Sequence, residues 1–156
     1  MTLSDYSGLE QDIRNAPEPQ ILPPNTEVKA RIVSVNSGES EKNGARWYSV
    51  VFDVPSEPMC PLFSDFFWDL ADRDKLNEKQ YAQALYRFRK FAESFGIDYS
   101  RPFSWEDDLP GLEGWMILKV IKDKSGEYPD KNGVAEYISG PSISNDDPQI
   151  FDEPPF

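Results

Sequence analysis

The chain contains no histidine and one cysteine, Cys60, so almost every side chain able to move a proton or hold a cation is a carboxylate. Histidine is the commonest general base, and its absence removes Ser-His and Cys-His nucleophile pairs. A lone thiol excludes an internal disulfide and a thiolate set for zinc. Three close carboxylate pairs remain: Asp65/Asp69, Asp72/Asp74 and Asp107–Asp108. Such pairs can hold two divalent cations for phosphodiester hydrolysis. Their surroundings favour structural duty instead. Asp107 and Asp108 lie in a Pro/Gly-rich stretch, and Asp72 and Asp74 lie where a helix begins, a position that attracts anions. The segment "GESEKNG" (38–44) lacks the glycine and Lys-Ser/Thr spacing of a phosphate-cradling loop. No enzymatic activity, metal or cofactor is expected.

A second chemistry is stacking. Aromatic residues make up 13% of the chain, and several stand beside lysine or arginine. Single-stranded nucleic acid is held by a positive groove along its backbone and by rings on which bases stack. The residues suited to that are Lys29, Arg31, Lys42, Arg46, Trp47, Lys122, Lys124, Tyr128 and Lys131. Each lysine alone is ordinary solvated surface; the signal is their collection around two loops. Trp47 is either a groove ring or a buried one, whereas Phe52, Phe88 and Phe95 read as core.

The elements that must position these residues follow from periodicity. Residues 28–35 alternate, with Val28, Ala30 and Ile32 on one face and Lys29 and Arg31 on the other. Residues 46–54 form the clearest strand: Tyr48, Val50, Phe52 and Val54 face inward, Trp47 outward. A third strand spans 62–68, "LFSDFFW", with no assignable inward face. Tyr81, Leu85, Phe88, Ala92 and Phe95 then recur at helical spacing, which predicts a helix over about 75–95 with Asp74 as N-cap and Gly96 as stop. Strands at 115–122, with Met116, Leu118 and Val120 on one side, and at 134–139 complete the set. The expected fold is mainly β, a five-stranded OB-fold-like barrel with one helix between strands 3 and 4. Its first and last inter-strand loops, 36–45 and 123–133, would flank the binding groove. The rival architecture is a plain α+β sandwich.

Length and charge divide the chain into three. Its 156 residues make one domain. Residues 1–27 read as an extended, proline-rich N-terminal arm with five acids and one base, 28–139 as the folded domain, and 140–156 as a disordered acidic tail. The net charge of −12 divides equally among these, −4 in each, so the domain is only mildly acidic. No apolar run approaches a membrane span, and no basic-then-apolar leader opens the chain; an intracellular, reducing compartment is expected. The tail carries Phe151 and Phe156 among acids and prolines. A terminal Phe offers a ring for an apolar pocket and a carboxylate for a basic rim, although such a tail can also be merely solubilising.

The ending "DDPQIFDEPPF" is similar to the tails of bacterial and phage single-stranded DNA-binding proteins, through Asp152, Glu153, Pro155 and Phe156, with Asp146 and Asp147 upstream. It departs from them in having fewer contiguous acids and Pro154. Over residues 27–138 the body resembles a family common in tailed-phage genomes that includes OB-fold DNA binders. The stretches that carry this are "VKARIVSV", "GARWYSVVFDV", "ALYRFRKFAESFGI", "DDLPGLEGWMILKV" and "GEYPDKNGVAEY". The resemblance implies a protein that coats and protects single-stranded DNA during phage replication and recombination, in the cytoplasm of a bacterial host. Its tail would recruit replication or recombination proteins, and a homodimer is compatible with it. The competing reading is an acidic DNA mimic that inhibits a host DNA-processing enzyme.

Overall fold

A computed structural model describes residues 2–141; the expectations for 142–156 concern residues outside this range. Five strands, β1 (Glu27–Glu39), β2 (Arg46–Asp53), β3 (Phe63–Trp68), β4 (Glu113–Ile121) and β5 (Lys131–Ile138), form one antiparallel sheet in the order β3-β2-β1-β4-β5. Among the described residues, three α-helices accompany it: α1 (Glu10–Arg14), α2 (Glu78–Phe95) and α3 (Trp105–Asp108). A 3-10 segment, Leu70–Lys75, leads from β3 toward α2. The fold is therefore mainly β; α2 stands between β3 and β4 where a helix was expected, and shorter helical pieces accompany it. Among the described residues, no helix is long and apolar enough to cross a membrane.

β1 is longer than its apolar alternation suggests. Its polar end, Asn36–Glu39, pairs with Ser49 back to Arg46, so the expected loop 36–45 shrinks to residues 40–45. Ser40 N donates to Ala45 O at 2.9 Å and closes that turn. The inward phase of β1 also changes. Val28, Ala30 and Ile32 are buried and Val33 is exposed, but a register shift between Ile32 and Ser34 gives the next inward place to Val35 instead of Ser34. An extra residue in one strand of a pair bends it and increases its twist.

α2 begins later than its expected start near 75. Asn77, not Asp74, is the N-cap: Asn77 Oδ1 accepts from Gln80 N at 2.8 Å, and Gln80 Oε1 accepts from Asn77 N at 3.0 Å. Reciprocal capping of this kind satisfies two orphan amides at once. Gly96 ends the helix with φ 68°. The buried stripe is Ala84, Phe88, Phe91, Ala92 and Phe95, rotated from the expected one, so Leu85 faces solvent. Phe52, Phe91, Ile32, Met116, Leu118 and Val50 are the fully buried centre of the core between sheet and helix. Phe52 and Phe95 sit 5.6 Å apart, and Phe67 and Phe91 4.6 Å apart.

The N-terminal arm is not extended throughout. Ser7–Leu9 and Glu10–Arg14 are helical, with no buried residue. Further along, the arm is fastened to the body. Gln20 N donates to Met59 O at 2.9 Å. The Asn132 side chain grips Leu22 at both its N–H and its carbonyl, each at 2.9 Å.

Candidate nucleic-acid interface

Strand alternation sends Phe63 and Phe67 inward, so Phe66 and Trp68 leave the opposite side of β3. On β2 the inward residues are Val50 and Phe52, so Trp47 leaves that same outer side. Trp47 and Trp68 are register partners. The result is one ring cluster on the solvent side of the sheet. Trp47 and Phe66 have centroids 5.8 Å apart, and Phe66 meets Trp68 edge-on at 4.9 Å. Phe66 is 41% exposed. The Trp47 indole lies over Gly38, its partner on β1. A Cβ at Gly38 would come within 2.5 Å of Trp47 Cζ2, so only glycine admits the ring in this position.

The same outer side continues across the sheet. Lys29 and Arg31 project from β1, and Lys29 is paired in register with Trp115 of β4. Both cations already have partners. Lys29 Nζ is 3.6 Å from Glu113 Oε1, and Arg31 Nη2 is 2.8 Å from Asp53 Oδ2. Lys119 follows on β4, opposite Gly133 of β5, with no ion pair among the described residues.

The nine residues expected from the sequence are not all brought together. Trp47, Lys29 and Arg31 share the outer side of the sheet. Arg46 does not share it with Trp47: neighbours on a strand point to opposite faces, and Arg46 lies near Tyr48 and Asp69. Lys42 is exposed in the 40–45 turn, past the C-terminal end of β1. Lys122, Lys124 and Tyr128 lie in the 122–130 loop, and Lys131 opens β5. Glu27 pairs with Ile117, so β4 runs on past the other end of β1 before that loop begins. The two loops therefore leave opposite ends of β1. The second is built around Asp123, whose carboxylate accepts from Ser125 Oγ at 2.6 Å and Tyr128 N at 3.0 Å. These bonds, the hydroxyl first, hold its pKa below the ordinary 3.8.

Phe66, Trp68, Trp115 and Lys119 are the outer-side residues that sequence reasoning missed. Trp115 and Lys119 were legible, since Met116, Leu118 and Val120 share one side of the strand and their neighbours must share the other. Phe66 and Trp68 were not, because rings occupy both faces of β3.

Four of the six carboxylates considered for metal chemistry, Asp65, Asp69, Asp72 and Asp108, are engaged in the fold. Asp65 Oδ2 accepts from Arg87 and from Tyr137 Oη. Asp69 accepts from Ala71 N at 2.9 Å, Asp72 from Arg46 N at 2.7 Å, and Asp108 from Ser104 N at 2.8 Å. Among the described residues, no three Cys, Asp or Glu side chains gather around a space that could hold a metal ion.

Compared with known proteins, the chain matches no protein-family profile and no curated sequence.

Proposed function

We propose that the chain binds single-stranded DNA without sequence preference along the outer side of β3, β2 and β1, serving phage replication and recombination in the host cytoplasm. The observation that carries this reading is the ring cluster of Trp47, Phe66 and Trp68 on a solvent-facing sheet surface. Scattered exposed rings are ordinary, but a contiguous group marks a contact surface. Bases stack on such rings with little regard to identity. Lys29, Arg31 and Lys119 lie beyond the cluster, where a strand leaving it would carry its phosphates. In this reading the sheet is an open OB-like barrel. Strand order, a helix between β3 and β4, and the side-chain contact between the edge strands support that. Residues 140–156 serve as the partner-recruiting segment, with Asp152, Glu153, Pro155 and Phe156 as its recognition elements.

The pairing of Lys29 with Glu113 and of Arg31 with Asp53 favours a second reading, an acidic surface that occupies the DNA site of another protein. Tryptophan fluorescence titrated with oligo-dT at two salt concentrations separates the two. Single-strand binding gives quenching that weakens with salt, and Trp47→Ala and Phe66→Ala each lose about 1–3 kcal/mol of binding if they stack a base. No quenching at low salt removes the DNA reading in favour of the mimic. Truncation after Gly140 tests whether the acidic segment competes with DNA, in which case binding tightens.

A further inference from the structure

On α2, Lys79, Gln83, Arg87, Lys90 and Ser94 recur at steps of four, four, three and four, the spacing that brings residues into one line along a helix. The line flanks the buried stripe of Ala84, Phe88, Phe91, Ala92 and Phe95. Arg87 fixes its place in the fold, since it donates to the Phe66 carbonyl at 2.6 Å and meets the Asp65 carboxylate. Main-chain carbonyls point across the strands in the plane of a sheet, and β3 is an edge strand. The line therefore passes the outer edge of the strand that carries Phe66 and Trp68. Its far end is tied to β4, where Ser94 Oγ donates to the Trp115 carbonyl at 2.7 Å.

The charge along this line is of one sign. The two acids of α2, Glu78 and Glu93, stand off it. Arg87 is matched by Asp65, whereas Lys79 and Lys90 make no ion pair among the described residues, not even Lys90 with Glu93 three residues on. Over Glu78–Phe95, four bases against two acids give +2 in a chain of −12. The cations on the sheet differ in both respects. Lys29 and Arg31 are each held by an acid. Trp47 is opposite Gly38, and Lys29 stands nine residues before that glycine, about 30 Å of strand.

We infer that a single strand whose bases stack on Trp47, Phe66 and Trp68 carries its phosphates over the edge of β3 onto α2, where Lys79 and Lys90 contact them. The inference rests on the single-strand reading above and names the phosphate contacts of that site. Rings alone do not hold a single strand; a row of cations must follow its backbone beside them. Lys79 and Lys90 are eleven residues apart, about 16 Å of helix, so the row is long enough to meet separate phosphates. Both are without a counter-ion from the protein, so a phosphate displaces only salt ions there. Arg87 serves as a positioning residue, because its bond to the Phe66 carbonyl holds the helix against the ring-bearing strand.

Oligo-dT titrations of the full chain over a salt series test this. Each phosphate contact adds about 0.7 to the log–log salt slope of a single strand. Lys79→Gln with Lys90→Gln should therefore flatten the slope by up to about 1.4, and Lys79→Gln alone, at an exposed position, by up to about 0.7. Glutamine matches lysine in helix propensity, and an unchanged circular dichroism spectrum confirms that α2 persists. Lys122→Gln with Lys124→Gln removes the same charge from the 122–130 loop and should leave the slope near that of the unaltered chain. If the unaltered chain binds and the α2 variants keep its slope, the inference is overturned while the single-strand reading stands. An equal flattening by the loop variant also overturns it, since the effect then belongs to overall charge. An unaltered chain that does not bind oligo-dT at low salt removes the reading and the inference together.

Discussion

Tyr137 donates its phenolic hydrogen to Asp65 Oδ2 at 2.6 Å, and the two residues stand on β5 and β3, the opposite edges of the sheet. No backbone ladder joins those edges. Arg87 of α2 meets the same carboxylate, donates to the Phe66 carbonyl at 2.6 Å and places its guanidinium 4.8 Å over the Phe67 ring. Three elements thus converge on one acid, and side chains hold the curled sheet where main-chain bonds do not.

This seam should be visible in the alkaline stability of the protein. Burial, then the charge of Asp65 and the bond to it, push the Tyr137 phenol well above its ordinary 10.0, against an opposing pull from Arg87. Below about pH 10 both folded and unfolded chains keep the proton, and the contribution is whole. Above it the unfolded chain releases a proton that the folded chain retains, so stability falls as pH rises. Tyr48, pushed up to about 12 by burial and by Asp69, acts in the same direction. Urea denaturation midpoints should drop through this window. Tyr137→Phe should lose about 1 kcal/mol at neutral pH and show a shallower alkaline decline; an unaltered slope would assign the effect elsewhere.

What the sequence could disclose depended on how different the two faces of each element were. β2 was legible because Val50 and Phe52 alternate with Ser49 and Asp53. β3 was not, since Phe63 and Phe67 inside and Phe66 and Trp68 outside give no contrast, and the ring cluster hid there. On α2, Phe88, Ala92 and Phe95 belong to both the expected and the observed stripe. Small Ala84 takes the buried place and Leu85 faces solvent, a rotation that only the assembled fold determines. The shift after Ile32 and the grip of Asn132 on Leu22 depend on strand pairing and on contacts distant in sequence. Arg46 illustrates a simpler limit: adjacency to Trp47 in sequence is not proximity, because a pleated strand sends neighbours to opposite faces.

Asn132 should prove to be the fastening of the arm. It is 3% exposed, and its amide satisfies both backbone groups of Leu22. Asn132→Ala leaves those groups unpartnered at a partly buried site, a loss of about 1 kcal/mol or more. Hydrogen exchange at the Leu22 amide should accelerate more than exchange in β1 or β2. Retained protection at Leu22 would mean that packing, not Asn132, holds the arm.

Gly38 should matter through Trp47. A methyl at Gly38 would lie 2.5 Å from Cζ2 and 2.9 Å from Cε2 of the indole, so Gly38→Ala must displace the ring. With fluorotryptophan incorporated, the resonances of the four tryptophans report this singly. The Trp47 signal should move most, Trp68 less, and Trp105 and Trp115 little. Oligo-dT affinity should fall by up to the roughly 1–3 kcal/mol of one stacked base. Intact affinity with a displaced ring would remove Trp47 from the site.

Glu113 gives the sharpest separation between the two readings of the outer surface. It stands 3.6 Å from Lys29, and both side chains are about half exposed, a pair worth at most about 1 kcal/mol to stability. Glu113→Gln should therefore leave the thermal midpoint nearly unchanged while freeing Lys29 for a phosphate. If the surface binds single-stranded DNA, affinity for oligo-dT rises and the log–log salt dependence steepens by up to about 0.7, the increment of one added phosphate contact. If the surface is instead a carboxylate array presented to a basic protein site, the variant gains no DNA affinity and loses one of the charges that make the mimic. The sign of the change decides between them, because a cation held by an acid and an acid held by a cation respond oppositely when the acid is removed.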